Sequence, residues 1–238
     1  MTTPEITAVL PVYNDRTALE TAIPASLAAL EQCGGSFELI VAEDGSTDGS
    51  RDCVEEWEKK DPRVSLLHSD ERQGRGRALN RALSEARGDI FCYYDVDLAT
   101  DISHLPELIS HIRDGAAVAT GSRLMPESKI IRSGDREVAS RSYNALVRML
   151  LGSRLNDHQC GFKAYRVETL RELVPNIRAP HWFWDTESLV LAQRAGLRVD
   201  EFPVVWIQGP GTTVRFKDVT GMGTDILKMW LRLHVEKD

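Results

Sequence analysis

The stretch Ile90-Phe91-Cys92-Tyr93-Tyr94-Asp95-Val96-Asp97 sets an apolar run of strand length directly against two carboxylates. Five consecutive apolar and aromatic residues bounded by turn formers predict a buried strand over 90–94. Comparable runs at 6–10, 37–42, 64–67 and 116–120 predict four more strands. Helical apolar spacing fills the intervals at 17–33, 50–60, 77–87 and 103–112, with Asp48 and Ser103 as the expected caps. Alternating strands and helices imply an α/β fold with a mostly parallel sheet covered on both faces. Beyond residue 121 the pattern changes. A long helix is expected over 136–151, an extended segment over 159–163, a helix over 185–195 and a strand over 199–205. The tail over 224–234 sets Ile226, Leu227, Met229, Trp230, Leu231 and Leu233 among basic residues, an amphipathic helix. With 238 residues and 42% hydrophobic content, the chain suffices for one substantial core and a single domain.

Sheets of this kind bind ligands beyond the carboxyl ends of their strands, so the residues that follow each apolar run matter most. The first run ends in Pro11-Val12-Tyr13-Asn14-Asp15, the second in Glu43-Asp44-Gly45-Ser46-Thr47-Asp48, the fourth in Asp95-Val96-Asp97. Three acidic strand ends therefore face one crevice. Asp95 and Asp97 lie on one side of an extended strand end, where two like charges call for a cation. Their hard oxygens suit Mg2+ or Mn2+ bridged to phosphate rather than caged by protein. An isolated pair of this spacing is commonly only a solvated turn; its coincidence with two other acidic ends is what favours the metal. Asp44 is suited to accept a hydrogen bond from the ring N–H of a base such as uracil or guanine, and Tyr13 offers a face for stacking.

Basic groups are local in a chain of net charge −7, a balance that argues against nucleic acid as a partner. Gly74-Arg75-Gly76-Arg77 opens a helix and is suited to attract an anion. It is no dinucleotide fingerprint, since Leu79 stands where Gly or Ala belongs and the motif follows the third strand rather than the first. A dehydrogenase is thereby excluded. Arg123, Arg132, Arg136 and Arg141 are expected to include clamps for a diphosphate or a phosphorylated acceptor, and Arg215 with Lys217 to sit on a closing loop. His158 and His181 are read as structural or solvent-exposed rather than as metal or acid-base groups. Asp185 and Glu187 suggest the wall of an acceptor site, with helix capping by Asp185 as the plainer alternative. Cys33, Cys53, Cys92 and Cys160 form no metal or disulfide pattern and are expected as reduced core thiols. The start, MTTPEITAVLPVYN, lacks a signal-peptide pattern and no stretch approaches the ~18 apolar residues of a membrane span, so a soluble cytoplasmic protein is expected.

Taken together these residues resemble glycosyltransferase family 2, and within it the branch that loads a sugar onto dolichyl or polyprenyl phosphate. The carriers are Leu10 to Asp15, Glu43 to Asp48, Asp95-Val96-Asp97-Leu98, Gly121-Ser122-Arg123, Asp157-His158-Gln159-Cys160-Gly161-Phe162-Lys163 and Trp184-Asp185-Thr186-Glu187. The resemblance implies a GT-A type, Rossmann-like fold with a nucleotide-sugar-binding half over 1–121 and an acceptor-binding half over 122–238. It implies that Pro11, Tyr13, Asp15, Asp44, Arg77, Asp95 and Val96 contact the nucleotide, and that Asp95 and Asp97 hold Mg2+ or Mn2+. Arg123, Arg136, Ser140, Gln159, Arg215 and Lys217 would engage diphosphate or acceptor phosphate. Position 15 is Asp where the family commonly has Glu, and position 99 is Ala where mannose synthases carry a metal-ligating Gln, which turns the comparison toward the glucosyltransferase-like branch. The implied reaction is inverting transfer of a hexose from a nucleotide sugar to a lipid phosphate, with peripheral membrane contact. Transfer to a soluble sugar hydroxyl is the alternative, and there Asp185 would serve as base; a non-catalytic nucleotide-sugar-binding module is another.

Overall fold

The computed structural model describes residues 3–131, 134–207 and 216–235, side chains at 134–136, 216–220 and 222 excepted. Strands β1 (Ile6–Val12), β2 (Phe37–Glu43), β3 (Val64–Leu67) and β4 (Ile90–Tyr94) run parallel, in the spatial order β3-β2-β1-β4. They read as nearly unbroken apolar runs because both faces are covered. Ile6, Ala8, Leu10 and Val12 pack with α1 (Arg16–Cys33), α2 (Ser50–Lys60) and α4 (Leu105–Arg113) on one face. Val9, Ile40, Phe91 and Tyr93 pack with α3 (Arg75–Glu85), α6 (Val167–Leu173) and α7 (Phe183–Arg194) on the other. The α/β class, with its mostly parallel sheet, is as the patterning implies.

The second half departs from it in instructive ways. The segment expected to be extended over 159–163 becomes strand β7 (Phe162–Arg166), inserted antiparallel between β4 and β5 (Val118–Ser122). Lys163 interrupts its apolar pattern, yet this lysine is fully buried because Asp185 pairs with it. The strand expected over 199–205 splits at Val204. Its first part, β8 (Val199–Pro203), closes the main sheet beside β5, and its second, β9 (Val205–Ile207), pairs in parallel with β6 (Lys129–Ile131). A backbone bond from Ile207 N to Ala99 O, 2.8 Å long, hangs this ribbon beside the loop that follows β4.

Two caps differ in detail. Asp101, rather than Ser103, caps the turn before α4, its carboxylate accepting the Ser103 N–H at 2.9 Å. Asp48 caps α2 from one position further out, accepting from Ser50 N at 3.0 Å, while Gly49 at φ 85° makes the turn. The helix expected over 136–151 is α5 (Gly134–Leu151), and the tail helix α8 extends over Phe216–His234. Ile226 and Met229 of α8 are buried against Tyr143, Val147, Phe183 and Val190. Leu227, Leu231 and Val235, four residues apart, stay exposed along one stripe. No helix among the described residues is long and apolar enough to cross a membrane. All four cysteines are buried free thiols.

Candidate active site

The carboxyl ends of β1 and β2 are tied to each other before any ligand arrives. Asn14 adopts the left-handed conformation at φ 50°, which an Asn side chain tolerates. Its N–H donates to Ser46 Oγ at 2.9 Å, and its Oδ1 accepts from Thr47 N–H at 2.8 Å. Asp15 caps α1, accepting the Ala18 N–H at 3.3 Å. Asp44 is only 3% exposed. Its carboxylate accepts the N–H groups of Gln73 at 3.1 Å and Gly74 at 2.7 Å, so it already orders the loop that leads into α3. Tyr13 is exposed on one side, and the Arg72 guanidinium lies 4.0 Å from its ring centre.

Beyond β4 the chain turns sharply. Asp95 N–H donates to Gly161 O at 3.1 Å, which brings the carboxylate so close to Gly161 that a Cβ there would sit 2.0 Å from Asp95 Oδ2. Leu98 follows at φ 49°, an unfavourable conformation for a side chain branched at Cγ, and such strain concentrates at functional turns. Asp97 Oδ1 accepts the Ala99 N–H at 3.0 Å. Asp97 is exposed by surface area, yet the crevice walls around its carboxyl, then the charges of Asp95 and Asp15, hold it above the usual carboxylate range.

Arg75 fills the space behind Asp95. Its Nη2 donates to Asp95 Oδ1 at 2.8 Å, its Nη1 to Asp185 Oδ2, and its guanidinium lies 5.0 Å from the Tyr93 ring centre and 5.2 Å from that of Trp182. Lys163 Nζ donates to Asp185 Oδ1 at 2.9 Å, and Tyr93 Oη does so at 2.7 Å. Burial alone would raise the Asp185 carboxyl; Arg75 and Lys163 overcome it and hold the group below its usual range.

Several expected roles change here. Asp185 is neither an open acceptor wall nor a helix cap. It lies in the first turn of α7, 2% exposed, and is committed to two cations. Arg77 is exposed, and its backbone N–H bonds to Pro180 O at 3.3 Å; Arg75, two residues earlier, is the arginine turned into the site. The glycines around them make no anion cradle. A Cβ at Gly76 would meet Trp184 at 2.8 Å and one at Gly74 would meet His181 at 2.0 Å, so both serve close packing. Arg123 forms a buried bidentate pair with Asp157, at 2.7 and 3.0 Å, instead of standing free as a phosphate clamp. Burial would raise the Asp157 carboxyl, and Arg123 holds it well below its usual range. Arg141 is a solvated helix residue paired with Glu137 at 2.8 Å.

Gln159 donates to Thr186 Oγ1 at 2.7 Å and to Trp182 O at 3.1 Å, orienting the start of α7. Ser140 is half-buried, and its carbonyl accepts from Asn144 at 2.9 Å. Pro11 and Val96 are half-buried beside the acidic ends. Arg132 and Arg215 lie outside the described residues, as do the side chains of Arg136 and Lys217. His158 is structural: buried, with Nδ1 2.7 Å from Asn144 Oδ1 and Nε2 2.7 Å from Ser153 Oγ, its pKa is pushed down to about 3 by burial.

Among the described residues no three His, Cys, Asp or Glu side chains form a metal cage. Two hard carboxylates with one open side fit Mg2+ or Mn2+, ions that keep positions for water and phosphate. The Arg75 Nε–H, buried beside this pair, has no acceptor among the described residues, as expected where an anionic ligand completes the site.

A family model described as "Glycosyl transferase family 2" matches residues 7–174. The chain is 47% identical over 235 residues to glycosyltransferase AglD of Haloferax volcanii, an alignment covering 97% of this chain and 38% of that protein. It is 29% identical over 234 residues to dolichyl-phosphate beta-glucosyltransferase ALG5A of Trichomonas vaginalis, covering 94% of this chain and 72% of that one. Among solved structures, glucosyl-3-phosphoglycerate synthase of Mycobacterium tuberculosis, in complex with Mn2+, UDP and glucosyl-3-phosphoglycerate, superposes with a TM-score of 0.66 at 22% identity. That superposition covers 99% of this chain and 81% of the other, a likeness of fold.

Proposed function

Because the chain belongs to glycosyl transferase family 2, with a fold of the GT-A type, we propose that it transfers a hexose from a nucleotide sugar of the UDP-glucose or GDP-mannose kind to a polyprenyl or dolichyl phosphate. The observation that carries this reading is the convergence of Asp15, Asp44, Asp95 and Asp97 at the carboxyl ends of β1, β2 and β4, where an open α/β sheet takes its ligands. The names of the relatives supply the acceptor class, and the Mn2+ and UDP of the structural neighbour agree with a metal-assisted donor site.

In this reading Pro11, Tyr13 and Val96 line the base pocket, with the Asp44 carboxylate and its loop closing it. Asp95 and Asp97 would hold a divalent cation, which would supply neutralisation of charge on the departing nucleoside diphosphate. Arg136, Ser140, Arg215 and Lys217 are proposed to meet diphosphate or acceptor phosphate. Gln159 and Arg123 act one step removed, by fixing α7 and the loop at 157. Direct attack by the acceptor inverts the anomeric carbon.

The chemistry of the nucleophile supports a phosphate acceptor. A phosphate oxygen is already anionic near neutral pH, with a second pKa of about 6, so it needs no general base. A sugar hydroxyl needs one, and the ion pairs of Asp185 disqualify the residue best suited for it. The exposed stripe of Leu227, Leu231 and Val235 supports peripheral contact with a membrane surface, proposed to be its cytoplasmic face. Thermal-shift titration tests the donor half of the reading. UDP- or GDP-hexose should raise the melting temperature only with Mg2+ or Mn2+ present; equal shifts with and without the ion contradict it.

A further inference from the structure

We infer that Arg75 is a positioning residue that occupies the place of a cation beside Asp95 and thereby sets how tightly the Asp95–Asp97 pair takes up a divalent ion; this rests on the reading of that pair as the metal site. Both terminal nitrogens of the guanidinium are held, while its Nε–H has no acceptor among the described residues. Asp95 Oδ1 accepts from one nitrogen at 2.8 Å, Asp185 from the other, and the Tyr93 and Trp182 rings wall it at 5.0 and 5.2 Å. The side chain is 10% exposed, so it cannot simply turn to solvent when a metal arrives. Asp185 is fixed in turn by Lys163 at 2.9 Å and Tyr93 Oη at 2.7 Å.

The charges in this assembly are unequal. Asp15, Asp95, Asp97 and Asp185 are opposed by Arg75 and Lys163, an excess of two negative charges. That excess equals the charge of one divalent ion. Arg75 therefore lowers the attraction of the bare protein for metal and occupies Asp95 Oδ1, one of the oxygens the metal would use. A diphosphate adds negative charge to the same place and restores the attraction, so metal and donor are taken up together rather than metal alone.

The partition between Asp95 and Asp185 gives the inference a signature of opposite signs. Arg75→Gln removes the competing charge, and Mn2+ alone should bind about tenfold more tightly. Asp185→Asn leaves Arg75 a single anionic partner, so the guanidinium is drawn wholly to Asp95 and Mn2+ alone should bind more weakly by a similar factor. Arg75→Lys keeps the charge but not the fork that bridges Asp95 and Asp185, so its Mn2+ affinity should fall between those of wild type and Arg75→Gln. Binding is read without nucleotide from the loss of the free Mn2+ paramagnetic resonance signal, with a melting curve for each variant.

A merely structural Arg75 would weaken binding in both variants together, and that outcome overturns the inference, as does unchanged binding in Arg75→Gln. If Arg75→Gln does not fold, Asp185→Asn against Arg75→Lys decides the matter: unchanged or tighter binding in Asp185→Asn overturns it. A wild-type protein that takes up no Mn2+ even with UDP or GDP present refutes the metal-site reading itself, and the inference with it. Uptake by wild type, without opposed shifts in the variants, refutes the inference alone.

Discussion

At the scale of single residues, Asp97 and Lys163 are opposite cases. Asp97 is crowded by Asp95 and Asp15, and removing it relieves repulsion in the protein without ligand. Asp97→Ala should lower transfer by at least about a hundredfold while the melting temperature holds or rises; a loss of folding would make Asp97 structural. Lys163 is wholly buried on Asp185. Lys163→Met removes one of two cations from a buried carboxylate and should cost roughly 3–5 kcal/mol, read by urea denaturation. His158 gives the pH dependence. Its folded pKa of about 3 lies below the unfolded value near 6.5, so the unfolded chain binds the extra proton between them. Stability is then full above about pH 6.5 and falls as pH drops through that window, by at most ~1.4 kcal/mol per unit. Denaturation midpoints at pH 7 and 5 should differ more in wild type than in His158→Gln; equal differences would show that the histidine is not the titrating group.

At the scale of elements, α7 is the part that the sequence exposed least. Five consecutive side chains each bond to a different partner: Trp184 to Asn80, Asp185 to Arg75, Thr186 to Tyr143, Glu187 to Arg232 and Ser188 to Tyr165. A strand end followed by Asp or Glu is legible because strand period and turn chemistry are local, and so the acidic crevice could be read residue by residue. The partners of Asp185 are 110, 92 and 22 positions away, and no local pattern records them. Arg75 was read only as half of an anion-attracting helix start, for a nearer reason: α3 begins two residues before its apolar period does, which moved the nucleotide contact to Arg77. The extended segment expected over 159–163 stopped short of the end of β7 for the same reason as Asp185, since a lysine in a strand reads as polar until its buried partner is known. The Arg232–Glu187 contact docks α8 on α7. Arg232→Ala leaves a buried carboxylate short of its cation, so α8 should become sensitive to limited proteolysis while the sheet keeps its circular dichroism; unchanged sensitivity would mean that Ile226 and Met229 suffice.

At the scale of the whole molecule, one mostly parallel sheet sets the proposed donor crevice along β1, β2 and β4, with β7 antiparallel beside β4. Net charge −7 keeps the surface unsuited to nucleic acid, while the buried cations Arg75, Lys163 and Arg123 gather where anions are handled or held in check. The fold class was legible because its signal repeats over five strands; the antiparallel insertion and the split of β8 from β9 depend on contacts that only the assembled sheet supplies. The central claim concerns the acceptor, and transfer of radiolabelled hexose from a nucleotide sugar in the presence of Mn2+ tests it most directly. A phosphorylated polyprenol should become labelled while the matching free polyprenol, lacking the charge and the pre-ionised nucleophile, stays unlabelled; labelling of a soluble sugar acceptor with none on the lipid phosphate would contradict the account.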